Sequence, residues 1–201
     1  MTSLTHIVRH WGWSFALVLL SAYPVAAQRI NFGAYTTSRG ISLTVSGNLN
    51  FNDKQPFIAS NSNSTTTIAL SDNETQYIAI TADATRDITI TVSSPTDLIT
   101  GAGGPGNQIP FTCNFAYSNF GSSTVTAAKT VAVQVPGGFT AITLPMLRRT
   151  AGAPAPPPTP AHGGYTPPSA TAYLFLYGAL GPVGNVSTGN YSGTINVNVQ
   201  Y

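Results

Sequence analysis

The chain is short of charge. Lys and Arg number 8 and Asp and Glu 6, so charged residues are 7% of the 201, against about 25% in an ordinary soluble domain. No basic stripe or acidic run is present, which argues against nucleic acid or an acidic surface as partner. Solubility falls to Ser, Thr, Asn and Gln. A nearly neutral, hydroxyl-rich surface repels its own copies weakly and so permits assembly.

Cysteine and histidine are almost missing. Cys113 is alone, so the chain has no internal disulfide. It sits in IPFTCNFAY with Phe111, Phe115 and Tyr117 at the same parity. That spacing describes a buried strand thiol; an intermolecular disulfide or a reactive thiol is the competing reading. After residue 27 there is one histidine, His162. One histidine and one cysteine cannot make a zinc site. A Ser–His–Asp triad would have to use that histidine, inside a Pro-rich loop. Asp53, Asp72, Glu74, Asp83, Asp87 and Asp97 fall mostly in or beside turns, where capping explains them better than a paired-carboxylate site. A weak Ca²⁺ site from Asp72 and Glu74 lacks the EF-hand spacing. GAGGPGN at 101–107 has no following Gly-Lys-Ser/Thr and reads as a turn. The expectation is a chain without catalysis, cofactor or metal.

What the chain does have begins with an apolar leader. Residues 1–12 carry Arg9, two histidines and no acid, and WSFALVLLSAY at 13–23 has the length of a signal h-region. VAA at 25–27 supplies the small residues of a cleavage site. Cleavage after Ala27 leaves 174 residues, and losing Arg9 lowers the net charge from +2 to +1. A retained anchor is the alternative, but the run is shorter than the roughly 20 residues a spanning helix needs. The expected organisation is a signal peptide at 1–27 and one β domain at 28–201, exported to the periplasm and then to the cell surface.

The rest reads as β. ISLTVSGNLNF (41–51), TTTIAL (65–70), QYIAITA (76–82), RDITITV (86–92), IPFTCNFAY (109–117), TVAVQV (130–135) and AYLFLYGAL (172–180) are rich in β-branched and aromatic residues. Ile88, Ile90 and Val92 alternate with Asp87, Thr89 and Thr91, as in a half-buried strand. Turn residues separate the runs at 71–74, 82–87, 101–107 and 136–138. No amphipathic helical stretch follows the leader. Many short strands with frequent turns argue for an antiparallel sandwich or barrel. RRTAGAPAPPPTPAHGGYTPPSA at 148–170 holds seven prolines. Proline cannot donate to a ladder, so this is a surface loop, either a tolerated insertion or a contact loop for a partner or neighbouring subunit.

The chain ends on GNYSGTINVNVQY. Gly193, Ile195, Val197, Val199 and Tyr201 alternate with Thr194, Asn196, Asn198 and Gln200, and nothing follows the last aromatic. Termini are ordinarily loose and polar; this one is patterned for pairing, with its apolar row expected to face a core.

Two stretches carry a resemblance. INFGAY at 30–35 holds Asn31, Phe32, Gly33 and Tyr35, and YLFLYGALGPVGNVSTGNYSGTINVNVQY at 173–201 holds Tyr177, Gly178, Gly189 and Tyr191. Together they resemble the spore coat protein U type domain and the pilins of the archaic chaperone–usher pathway. Small secreted β-sandwich domains with the same start and end are an equally close match. The resemblance implies an immunoglobulin-like sandwich lacking its last strand. Its groove would be filled first by a periplasmic chaperone and then by the N-terminal extension of the next subunit, delivered through an outer-membrane usher. Gly193, Ile195, Val197, Val199 and Tyr201 would then form the groove edge, and the partners would be identical or related subunits, without nucleic acid. The chain departs from that pattern in three ways. Only Gln28 and Arg29 lie between the inferred cleavage site and INFGAY, the N-terminal cysteine pairing is missing, and the Pro-rich insertion is added. The subunit therefore either receives a donor strand with none to give, or closes its own sandwich.

The expected role is a non-catalytic structural subunit of a bacterial pilus-like assembly built by β-strand addition. Two alternatives stay open. One is a small outer-membrane barrel, although its turns are packed tightly for strands of roughly ten residues. The other is a secreted carbohydrate- or surface-binding module using Tyr165, Tyr173 or Tyr177.

Overall fold

The two clearest period-two runs of the sequence lie side by side. In the computed structural model, which describes residues 40–55, 63–101, 103–149 and 168–201, strand β4 (Asp87–Ser93) pairs antiparallel with the terminal strand β10 (Asn196–Gln200). Val92 stands opposite Val197 and Ile90 opposite Val199. On its other side β4 pairs with β8 (Ala141–Pro145), Ile90 opposite Ile142 and Ile88 opposite Leu144. These three strands form the smaller sheet, in the order β10-β4-β8.

The larger sheet is built around two long strands, β6 (Gln108–Ser118) and β9 (Ser169–Leu180), with β3 (Gln76–Asp83) on the far side of β9. A short β1 (Ser42–Val45) pairs with β3, and β5 (Asp97–Ile99) with β6. The order is β1-β3-β9-β6-β5; β2 (Thr66–Ile68) pairs with the end of β9 and β7 (Val133–Gln134) with the end of β6. Every pairing is antiparallel. The fold is an all-β antiparallel sandwich of two sheets, not one sheet closed on itself, among the described residues.

The main core lies between the sheets. Ile78, Ile80, Ala172, Leu174 and Leu176 from β3 and β9 meet Ile88, Ile90, Val92 and Leu144 from the smaller sheet and Met146 just after β8. Each such side chain, fully withdrawn from water, contributes about 1.5–3 kcal/mol. A second cluster at one end joins Phe51, Ile68, Ile109, Phe111, Leu180 and Val183.

β9 explains its own composition. Its even residues Ala172, Leu174 and Leu176 face the main core, while Tyr173, Phe175 and Tyr177 belong to a third cluster with Ala116 and Ala128. A strand covered on both faces reads as a continuous apolar run. The cover on the outer face includes Ala128 of a helix, α2 (Val125–Thr130), capped by the Thr124 side chain accepting from the Ala127 amide at 3.2 Å.

The helix takes up Thr130, so the strand expected over 130–135 is confined to Val133–Gln134. A helix of six residues is too short to announce itself by periodicity, and its stability comes from packing. The run at 41–51 likewise divides into β1 and a helical turn α1 (Phe51–Lys54), whose cap is Asn50 accepting from the Asn52 amide at 3.2 Å. β5 and β8 carry no long alternation and were not anticipated. The candidate leader, the INFGAY segment and most of the Pro-rich loop, including His162 and Tyr165, lie outside the described residues.

Candidate strand-addition groove

The terminal strand is one lip of an opening into the sandwich. Ile195, Val197 and Val199 are half-buried and pack against the main core, while Asn196, Asn198 and Gln200 are exposed. Among the described residues β10 has a single strand neighbour, β4. The opposite lip is β1, which among the described residues pairs only with β3. Its Leu43 and Val45 are 43% and 60% exposed. Between the lips runs a cleft of about 550 Å³, lined by Leu43 and Val45 on one side, Ile195 and Val197 on the other, and Ile78 and Leu176 at its base, with the polar side chains of Asn48, Gln76, Ser192 and Thr194 also along it. Among the described residues none that lines it is charged. An apolar sheet interior reached from the side, between two edge strands, is the geometry that an added strand completes.

Tyr201 departs from the expected row. It is 39% exposed rather than in the core. Its hydroxyl accepts a hydrogen bond from the Asp83 amide at 3.1 Å, and the Arg86 guanidinium lies 5.0 Å from its ring centroid. The terminal aromatic thus staples β10 to the turn between β3 and β4. The turn is itself firm, because the buried Asp83 carboxylate accepts from the Thr85 amide at 2.9 Å and the Thr85 hydroxyl at 2.7 Å. Gly193 is exposed as well and is not part of the apolar row. A Cβ there would lie 2.8 Å from Pro95 Cγ and 2.9 Å from Leu98 Cδ2, so glycine lets the chain cross close to β5.

The other motif residues are scattered through the framework. Gly178 sits near the C-terminal end of β9, opposite Cys113, where a Cβ would come within 2.0 Å of the Thr112 carbonyl oxygen. Tyr177 packs between the second and third clusters; burial, and then neighbouring Cys113, push its hydroxyl pKa up. Tyr191 borders the second cluster and donates to the Ser187 carbonyl at 2.7 Å. Gly189 lies in the same loop, beside Thr100. Asn31, Phe32, Gly33 and Tyr35 are outside the described residues. Tyr173, considered above as a binding platform, is occupied by ring contacts with Tyr77 at 6.2 Å and Phe175 at 6.3 Å.

Cys113 is partly buried, and desolvation pushes its thiol up to about 11, so it is protonated at neutral pH. Asp72 accepts from Lys54 at 2.8 Å and from the Ala69 amide at 2.9 Å. The Lys54 hydrogen bond, followed by the amide, holds its carboxyl below the usual range. Among the described residues no three His, Cys, Asp or Glu side chains gather to hold a metal, and no helix is long and apolar enough to cross a membrane.

Sequence reasoning missed the β1 lip. Leu43 and Val45 alternate with Ser42 and Thr44, a pattern that signals a half-buried strand, and nothing local says which strand of a sheet lies at its edge. Comparison with family models, curated proteins and solved structures finds no match for this chain.

Proposed function

We propose that the chain is a non-catalytic structural subunit of a bacterial surface assembly, exported and joined to identical or related subunits by β-strand addition. The observation that carries this reading is the cleft between the edge strands β1 and β10, where Leu43, Val45, Ile195 and Val197 reach the surface. An added strand there would pair with the free lip of β10, of β1, or of both. It would also cover Leu43, Val45, Ile195 and Val197. Each nonpolar Å² removed from water contributes roughly 25 cal/mol, and main-chain pairing adds specificity of direction and register.

Such an edge aggregates when uncovered. A periplasmic chaperone strand during transit, and an outer-membrane usher at the exit, are the partners this chemistry calls for. The low charge of the chain suits close packing of copies. The resemblance at 30–35 and 173–201 points the same way.

The test is expression of the whole chain in a periplasm, with and without a chaperone encoded beside it, followed by electrophoresis of unheated samples. The expected outcome is a soluble chaperone complex, and ladders of subunits once the usher is present. A soluble monomer at full yield without any chaperone, unchanged by the usher, overturns the reading.

A further inference from the structure

Beyond the end of the groove the cleft continues into a second chamber. Its volume is about 480 Å³, within the roughly 300–1,000 Å³ range of small-molecule sites. It shares Leu49, Phe51, Leu98 and Tyr191 with the groove. Its floor adds Ile109, Leu180 and Val183. Its rim, however, is Asn50, Asn52, Ser187, Thr188 and Asn190. Three amides and two hydroxyls, with no charged side chain among the described lining residues, surround an apolar base.

The chamber is also badly placed to hold a strand. β10 begins at Asn196 and β1 ends at Val45. The chamber walls are the loop 186–191 and the segment 49–52, so a strand added along either lip loses its ladder before arriving. Whatever sits there is held by side chains. Asn50 is preset for this: its Oδ1 accepts from the Asn52 amide at 3.2 Å, and its Nδ2 donates to Asp53 Oδ1 at 2.9 Å. Each of those atoms keeps one further hydrogen-bonding position toward a ligand. Among the described residues the side chains of Asn52, Thr188 and Asn190 make no hydrogen bond. They offer both donors and acceptors in the geometry of primary amides and a hydroxyl.

We propose that this chamber binds a neutral saccharide, one pyranose ring or two. A sugar matches each element of the site. Its vicinal hydroxyls need partners that both donate and accept, which amides supply in pairs and cationic or anionic side chains do not. Its C–H face needs an apolar base, supplied by Leu98, Ile109 and Val183. The absence of Lys, Arg, Asp and Glu from the described lining disfavours uronic acids and amino sugars, whose charges would be desolvated without a counter-ion. The site adjoins the groove, and sugar binding there does not require strand addition.

The experiment is amide chemical-shift titration of the whole chain with glucose, galactose, mannose and N-acetylglucosamine. Glucuronate and glucosamine are the charged controls, and an uncharged peptide alternating valine and threonine is the strand control. The expected result is a saturating shift confined to residues 49–52 and 186–191 with at least one neutral sugar, at a Kd on the order of 1 mM. The charged relatives of that sugar should bind about tenfold more weakly. Asn52→Ala and Asn190→Ala should each weaken binding about fivefold, with the thermal midpoint unchanged because both residues are exposed. Shifts at these residues with the peptide alone, equal binding of neutral and charged sugars, or no saturating shift with any sugar each overturn the proposal. The peptide's effect on residues 43–45 and 195–199 reports separately on the groove, so the two readings can fail independently.

Discussion

β4 and β10 are neighbours with the same sequence pattern and different fates. ITITV in β4 and INVNV ending in β10 alternate identically, and the two strands are paired residue for residue. Yet Ile88, Ile90 and Val92 are 0%, 1% and 4% exposed, whereas Ile195, Val197 and Val199 are only half-buried. Neither composition nor periodicity separates them. Position does: β4 has a strand on each side and β10 has β4 alone among the described residues. A central strand is closed over by its neighbours' side chains. An edge strand shows its inner row obliquely to whatever lies beyond. The same contrast sets β9, covered on both faces, against β1, whose four residues are all exposed. The proposed assembly surface is therefore a property of order within the sheets.

The comparison can be broken most forcefully at two glycines. Gly178→Val in β9 puts a side chain onto the Thr112 carbonyl, a backbone atom that cannot yield without opening the β6–β9 ladder. The expected cost is about 4 kcal/mol or more, with loss of soluble protein. Gly193→Ala meets only the side chains of Pro95 and Leu98 and should cost about 1 kcal/mol. Equal losses in urea unfolding would mean that the edge is as tightly determined as the centre.

Truncation across one rung sharpens the contrast. Ile90 and Val199 stand opposite each other. Ile90→Ala should cost about 3 kcal/mol, and Val199→Ala about 1 kcal/mol, because its side chain is half in water already. A Val199→Ala cost that rises toward the Ile90→Ala value in a multi-subunit preparation would show a second chain covering the lip.

Parity within β10 is next. Val197→Asp places a carboxylate on the core side of the strand and should cost about 2 kcal/mol. Asn196→Asp, one residue away on the outer face, should stay within about 0.5 kcal/mol. Protease resistance of the two variants, measured side by side, checks the difference; equal resistance would remove the half-buried row on which the groove depends.

The smallest effect is at the staple. Tyr201→Phe keeps the ring beneath Arg86 and loses the hydrogen bond from the Asp83 amide. About 1 kcal/mol is expected. Hydrogen exchange should speed up at Val199 and Gln200 while the amides of β9 stay unchanged. Acceleration in β9 as well would mean that the two sheets open together.

Much of the fold was legible where one face of a strand pays its way alone. The alternation at 87–93 and 195–199 found β4 and β10, and the continuous apolar run at 172–180 found β9. Turn residues found the breaks between 70 and 76 and between 83 and 87. Legibility failed where a segment is too short for a period, as in β5 and α2, or where a cap overrides propensity, as at Asn50. The site was half legible. The β10 row was visible by parity, but Tyr201 was placed in the core with it. Its phenol finds a backbone donor, the Asp83 amide, at the surface instead.

By itself the sequence determined an all-β chain with little charge, a patterned final strand, and one thiol without an intramolecular partner. Those follow from local quantities: side-chain period, branching at Cβ, turn residues and counts. Only the tertiary structure decided which strands are edges, that β1 and β10 face each other across a cleft, and that loop amides gather at its end. These depend on contacts between residues as far apart in the chain as Val45 and Val197, and no local pattern encodes such a distance.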